Sequence, residues 1–406
     1  MRKVFYQYSL SENICAFILY CYIFELVFGG AIGFSLIGLS LRKILILLII
    51  VFYLVSLTSN LKFDISQFYF LLGLLLFVLI WAGLIPLLNS IKYLLTIEEI
   101  FPVLSLILVF PIMLSINING LKRYIDFLNF CVAVIGCVVI LSWAMASFFA
   151  APEIAFIIKV FYLTVSGSDF GMYIGPMPDG SFRVMWISCI FFPFMLIYKN
   201  FDRVNIPWTI FYSIAIYATG TRIFIIVGIL IIFMQLLKKR LFLAITILFI
   251  LLSLTVWISS YIDNFRLFQL AEDFSEASPR LKQFYSLIDL FYQHPFWGAG
   301  FGANADVIRS YLAPFSYELT YVALLAKIGI IGAIFLLIAF LALIIKIILL
   351  HKNYRLNIIL IVASFIFITA SNPYLINLVG MFILSLIIAV SLISTSGALQ
   401  VEPRIG

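Results

Sequence analysis

"FYFLLGLLLFVLIWAGLIPLL", residues Phe68–Leu88, carries no charged side chain from end to end. The hydrocarbon core of a bilayer is about 30 Å thick, and about 20 apolar helical residues cross it. This run is long enough, and runs like it recur along the chain. Of the 406 residues, 65% are hydrophobic and only 11% charged. Soluble domains have about 45–50% apolar and about 25% charged residues. With a mean hydropathy of +1.21, the chain calls for lipid as its solvent.

Candidate spans are Asn13–Leu39, Ile44–Ser59, Phe68–Leu88, Ile100–Ile116, Tyr124–Phe149, Val184–Tyr198, Ile206–Thr219, Ile223–Leu237, Leu241–Ser260, Tyr321–Leu350, Asn357–Ala370 and Leu375–Ile393. That makes about twelve on the length criterion. Backbone polar groups in lipid must be satisfied within the segment, and no alternating strand pattern points to a barrel. The expected fold is therefore all-α: one polytopic transmembrane domain over residues 1–406. The basic N-terminus lacks a small-residue cleavage site and reads as part of an uncleaved first helix.

The net charge of +7 suits cationic cytoplasmic loops, not nucleic acid, because no basic run interleaves with stacking aromatics. With both ends inside, Lys122 and Arg123, Lys199 and Arg203, Lys238 to Arg240, and His351 to Arg355 fall on the cytoplasmic side. Arg42 and Lys43 break the rule. The first apolar run also contains "FGGAIG", residues 28–33, and is expected to break there.

This orientation leaves two long external loops, residues 150–183 and 261–315, both rich in turn formers. In the second, Pro279–Tyr292 has apolar residues at helical spacing, with Ser278 as N-cap and Pro279 at the first helical position. "HPFWGAGFG", residues 294–302, ends that helix. Its glycines follow no strand of a βαβ unit, and no GxxxxGK[ST] sequence occurs, so no nucleotide site is expected. Gly298 and Gly300 suit a turn whose amides approach a phosphate or a sugar, or a tight connection with no ligand. The cysteines lie in apolar spans without a CxxC pair, which supports neither zinc nor disulfides. No metal and no cofactor is expected.

Ionisable groups at membrane depth are costly and commonly functional. Arg222 heads a span on the outer side, where it either snorkels or serves a ligand. Arg183 and Arg280 are also external, and several outward arginines near one face suit a phosphate-bearing anion. Glu318 opens the tenth span, as an interfacial residue or a functional carboxylate. Lys327, deeper in that helix, pairs internally or snorkels.

The order "GTR" at a span entry, "HPFWGAGFG" after an external arginine, then "ELTYVALLAKIGIIG" resembles the O-antigen ligase and polymerase superfamily of bacterial envelope assembly. The likeness is best from about Thr219 to Ile331. "LVFGGAIGFSLIGLSLRK" near the start is similar to Wzy-type polymerases. Ligases of this superfamily carry a His-Asn pair in a pattern like HNxYLxxLxExxG. With Tyr321 on the pattern's tyrosine, the histidine's place is held by Glu318, which favours polymerase over ligase. The Arg-x10-Gly pattern of some polymerases is absent.

The resemblance implies a glycosyltransferase of the bacterial inner membrane whose active site faces the periplasm. Donor and acceptor would be undecaprenyl-pyrophosphate-linked oligosaccharides, in a setting of membrane lipid, with a separate chain-length regulator as partner. It assigns Arg280 and Arg222 to the pyrophosphate, with Arg183 and Arg42 in support, and Glu318 as the base. His294 is a second candidate base or a structural turn residue, and Tyr321 is a candidate substrate-binding residue. The aromatics Tyr292, Phe296, Trp297 and Phe301 stack on sugars or, for most, lie at the membrane interface. The competing readings are the sister ligase, acting on lipid A core, and a flippase for lipid-linked oligosaccharide. Against the flippase stand the absence of an evident internal repeat and the asymmetry of the loops.

Overall fold

The computed structural model describes residues 9–29, 34–36, 39–57, 65–148, 157, 160, 172–176, 182–200, 204–239, 278–308, 313–350, 355–370 and 374–393. The expected span Leu241–Ser260 lies outside the described residues. So do most of 150–183, the 261–277 part of the second loop, and Arg203, Arg240 and His351.

The described chain is overwhelmingly helical. Helix α1, Leu10–Phe28, starts from a reciprocal cap: the Ser9 amide donates to Glu12 Oε2 at 2.6 Å, and the Glu12 amide donates to Ser9 Oγ at 3.3 Å. It closes at Gly29, not at Leu39 as the span reading had it. A two-residue hairpin, β1 (Ser35–Leu36) against β2 (Leu39–Ser40), then leads into α2, Leu41–Leu57. The break expected at "FGGAIG" is thus a helix end.

The fold-deciding run forms one continuous span with a widened turn: α3 (Ile65–Val78), a π turn (Leu79–Leu84) and α4 (Ile85–Leu88). Pro86 explains the widening. It has no amide to give the preceding turn, and the Ile85 amide reaches back to Ile80 O. Next come α5 (Tyr93–Leu104), a 3-10 turn, α6 (Val109–Asn119) and α7 (Leu121–Phe148). The expected span from Val184 begins later. Strand β4 (Phe182–Trp186) pairs antiparallel with β3 (Met172–Pro176), and the short helix α8, Phe191–Lys199, follows. The all-α expectation thus holds apart from two small hairpins among the described residues.

Helices α9 (Ile206–Ala218), α10 (Arg222–Lys239), α11 (Pro279–Gln293), α12 (Thr320–Leu350), α13 (Arg355–Ala370) and α14 (Leu378–Ile393) complete the order. Five described helical stretches are long and apolar enough to cross a membrane: Leu10–Phe28, Gln67–Leu88, Tyr93–Asn119, Leu121–Ser147 and Thr320–Leu349. Others, such as Ile206–Ala218 and Leu378–Leu392, are apolar but shorter. Helix α8 is apolar on every side and buried at Phe191, Phe192, Leu196 and Ile197, as a central helix must be. Leu337, Ile338 and Ile345 of α12 face outward, which suits contact with lipid.

Candidate active site

Packing contacts place several helix ends at one end of the bundle. The Tyr321 hydroxyl, at the start of α12, meets Thr369 Oγ1 at 2.8 Å, near the end of α13. Phe224, at the start of α10, lies ring to ring with Tyr374, just past α13, at 6.1 Å. Tyr22 of α1 meets Phe382, early in α14, at 6.0 Å. The start of α10 and the start of α12 therefore share one end. Arg222 and Glu318 come to that end with them. Asp126 marks the opposite end, where it accepts from the Tyr198 hydroxyl at 3.0 Å and faces Lys199 at 3.7 Å.

Arg280 and Glu318 meet directly, with Nε donating to Oε2 at 2.6 Å. Two local devices set this up. Ser278 Oγ caps α11 by accepting the Arg280 amide at 3.2 Å, which fixes Arg280 in the first turn. Leu287, one buried face of α11, packs with Ala305, Tyr317 and Ala323 in a small core of its own. That core docks α11 beside the start of α12. The ion pair remains accessible, with side chains 41% and 24% exposed, so solvent and ligand can reach it. A guanidinium beside a carboxylate can hold an anion and accept a proton side by side.

The glycine segment has another task. Gly329 takes φ +64° and breaks α12. A break exposes backbone groups that lipid cannot satisfy. Residues 295–300 run alongside and satisfy them. The Ala299 amide donates to Ala326 O at 2.9 Å and the Gly300 amide to Lys327 O at 2.8 Å. In return, the Ile330 amide donates to Pro295 O and the Ile331 amide to Phe296 O. Gly298 and Gly329 approach so closely that a Cβ on either would strike the other's segment, at Lys327 O and Phe296 O respectively.

The same strap is tied on its other side to the π turn and α5. The Phe301 amide donates to Trp81 O at 2.9 Å, and the Trp81 indole N–H reaches both Trp297 O and Ile328 O at 2.9 Å. Asn89 Nδ2 donates to Ala299 O at 2.9 Å, and Thr96 Oγ1 to Phe301 O at 3.0 Å. The Gly302 amide donates to Glu99 Oε2 at 2.6 Å, and the Gly298 amide to His294 O at 2.9 Å. Each amide from Gly298 to Gly302 is thereby used inside the protein. The Gly298 and Gly300 amides, expected to approach a phosphate or a sugar, are not available to do so.

The other expected site residues divide. Arg42 is buried and bonded to Glu25 Oε2 at 2.6 Å, with the Phe34 amide on the second carboxylate oxygen at 3.1 Å. Glu25 gives the buried Arg42 its counter-charge. It also closes Arg42 off from the ligand role assigned to it. The stem of Arg183 packs against Gly220, where a Cβ would lie 3.3 Å from its Cγ. Arg183 thus stands beside the "TGTR" turn that ends at Arg222. His294 caps α11 through its backbone, its amide bonded to Phe291 O at 3.0 Å. The Tyr321 hydroxyl ties α12 to α13. Tyr292, Phe296 and Trp297 are exposed, as interface residues would be, whereas Phe301 is fully buried against Phe77.

Sequence reasoning missed Glu99. Lys327 does pair internally: its ammonium bonds Glu99 Oε1 and donates to Phe315 O at 2.7 Å. The signal was present. A carboxylate bordering one apolar run and an ammonium inside another are natural partners, since an ionised group is costly to bury alone. Tyr317 completes the cluster by accepting the Ala305 amide at 2.7 Å, and burial pushes its phenol up to about 12.

Comparison with known families matches residues 208–337 to the family model described as O-antigen ligase. The matched segment starts in α9 and ends in α12, and contains Arg222, Arg280, the glycine strap and Glu318. A comparison with curated proteins found no match.

Proposed function

From the match of residues 208–337 to the O-antigen ligase family model, we propose that the chain belongs to the O-antigen ligase/polymerase superfamily and is a glycan polymerase of the bacterial inner membrane. Its substrates are undecaprenyl-pyrophosphate-linked repeat units of O-antigen or a similar surface polysaccharide. The growing glycan passes from its carrier to a new lipid-linked unit on the periplasmic face. The observation that supports this reading is the accessible Arg280–Glu318 pair at 2.6 Å, a cation and a carboxylate side by side within the matched segment.

The reaction follows from the groups present. An acceptor hydroxyl attacks the anomeric carbon of the donor, and its proton passes to Glu318. The bond from that carbon to the pyrophosphate oxygen breaks, and undecaprenyl pyrophosphate leaves. Arg280 and Arg222 face the charge that develops on it, with Arg183 beside them. The leaving group is already activated, so no nucleotide is needed. At rest Glu318 Oε2 accepts from Arg280 Nε.

The ligase is the second reading, favoured by the description of the matched family. One gel separates the two: surface lipopolysaccharide from the source bacterium with the gene deleted. A core bearing a single repeat unit, with the ladder gone, is the expected result. Bare core with lipid-linked polymer outside would make the chain a ligase. Bare core with single units trapped inside would make it a flippase. Complementation with Arg280→Ala or Glu318→Gln should restore the protein to the membrane but not the ladder. Loss of the base alone should slow extension about 10²–10⁴-fold. A normal ladder from either variant removes that residue from the site.

A further inference from the structure

We infer that Lys327 and Glu99 are positioning residues that hold Glu318 against Arg280; the inference rests on the site proposed above. The pair sits between two limbs. One limb carries Arg280: it runs from α11 through the glycine strap to Gly302, whose amide donates to Glu99 Oε2 at 2.6 Å. The other limb carries Glu318: it runs through Phe315 into α12, and the Phe315 carbonyl accepts from Lys327 Nζ at 2.7 Å. Glu99 and Lys327 are bonded to each other and almost fully buried. Each charged group thus fastens one limb, and the charge pair fastens the limbs together.

Rings and a phenol reinforce the tie. Lys327 Nζ lies over Phe315 and Tyr317 at 5.8 and 5.6 Å from the ring centres. Tyr317, next to Glu318, holds the Ala305 amide of the first limb at 2.7 Å. The pair does not touch the reacting groups, yet both segments that carry them end on it. A pair kept only to neutralise charge would need no bond to either limb. This one makes a bond to each, and swapping the two charges cannot reproduce them. A lysine at 99 cannot accept the Gly302 amide, and a glutamate at 327 cannot donate to Phe315 O.

Two double variants test the idea in proteoliposomes, with lipid-linked repeat units extracted from a strain lacking the gene. Glu99→Gln/Lys327→Met removes both charges at similar volume, and replacing a buried ion pair in this way is commonly tolerated. It keeps an acceptor for Gly302 but frees Phe315. Turnover should fall at least about 10-fold, in line with the cost of small misplacements of reacting groups. KM for the donor should stay within about threefold, because the arginine limb is still held. Glu99→Lys/Lys327→Glu keeps opposite charges and should be present in the membrane, yet equally slow.

Wild-type turnover in either folded variant would overturn the inference. So would loss of both variants from the membrane, which would make the pair purely architectural. Arg280→Ala and Glu318→Gln run alongside. If those two retain turnover, the proposed site is wrong. If they fail while the double variants work, only the positioning role falls.

Discussion

Replacing Gly298 with alanine tests the strap at its tightest point. Gly298 takes φ +76°, and a Cβ there would run into the carbonyl of Lys327 and the amide of Gly329. The left-handed backbone alone costs an alanine about 1–2 kcal/mol. Relieving the clash must push the strap from the broken helix, which strains the Ala299–Ala326 and Gly300–Lys327 hydrogen bonds. Each is worth about 0.5–1.5 kcal/mol net. The sum is a loss of about 2–5 kcal/mol, a large share of the roughly 5–15 kcal/mol that holds a typical domain together. The assay is unfolding in mixed micelles titrated with a denaturing detergent. Gly73→Ala is the control. Gly73 is helical with its nearest neighbour, a Phe335 ring atom, at 3.9 Å, so alanine should gain about 0.5–1 kcal/mol there. Equal unfolding curves for wild type and Gly298→Ala would refute the account of the strap.

Arg42→Met should destabilise by about 3–5 kcal/mol because it strands the buried Glu25 carboxylate, and Glu25→Gln/Arg42→Met should recover most of that in the same titration. If the single and double variants unfold alike, the pair is not what holds that corner. For Tyr317, the phenol is raised from its ordinary value near 10 to about 12 by burial. The stability linked to it is fully present below about pH 10 and is lost as pH rises toward 12. Tyr317→Phe should therefore flatten the alkaline loss of stability. It should also cost about 1–3 kcal/mol at neutral pH by orphaning the Ala305 amide. An unchanged alkaline profile would show that the loss belongs to other groups.

Hydropathy alone located most of the helices, because length and apolarity are local properties. Phe68–Leu88 and Tyr124–Phe149 came out nearly as observed, displaced by a few residues. Features that depend on distant partners did not. The kink at Gly329 is invisible in a run as uniformly apolar as α12. It becomes intelligible only once residues 295–300, far away in the chain, are seen to cover it. The hairpin of β3 and β4 hid in a segment whose turn formers read as loop. Arg280 and Glu318 were named through resemblance, but that they touch was not legible, since the small core under α11 is what joins them. Glu99 stands beside Glu98 in sequence, and only Lys327 and Gly302 single it out.

The break at Gly329 also sets a depth. Residues 330–350 rise about 31 Å as a helix, which already matches a hydrocarbon core of about 30 Å. The piece before the break, from Thr320, is then surplus to the length that crossing needs. Glu318 stands just before that piece, and Arg280 is bonded to Glu318. An isoprenoid carrier keeps its tail among the acyl chains and its pyrophosphate among the headgroups. On the proposed function, a site at the end of that surplus piece would take hold of the phosphates where they already float, without lifting the carrier from the bilayer or drawing sugars down into it.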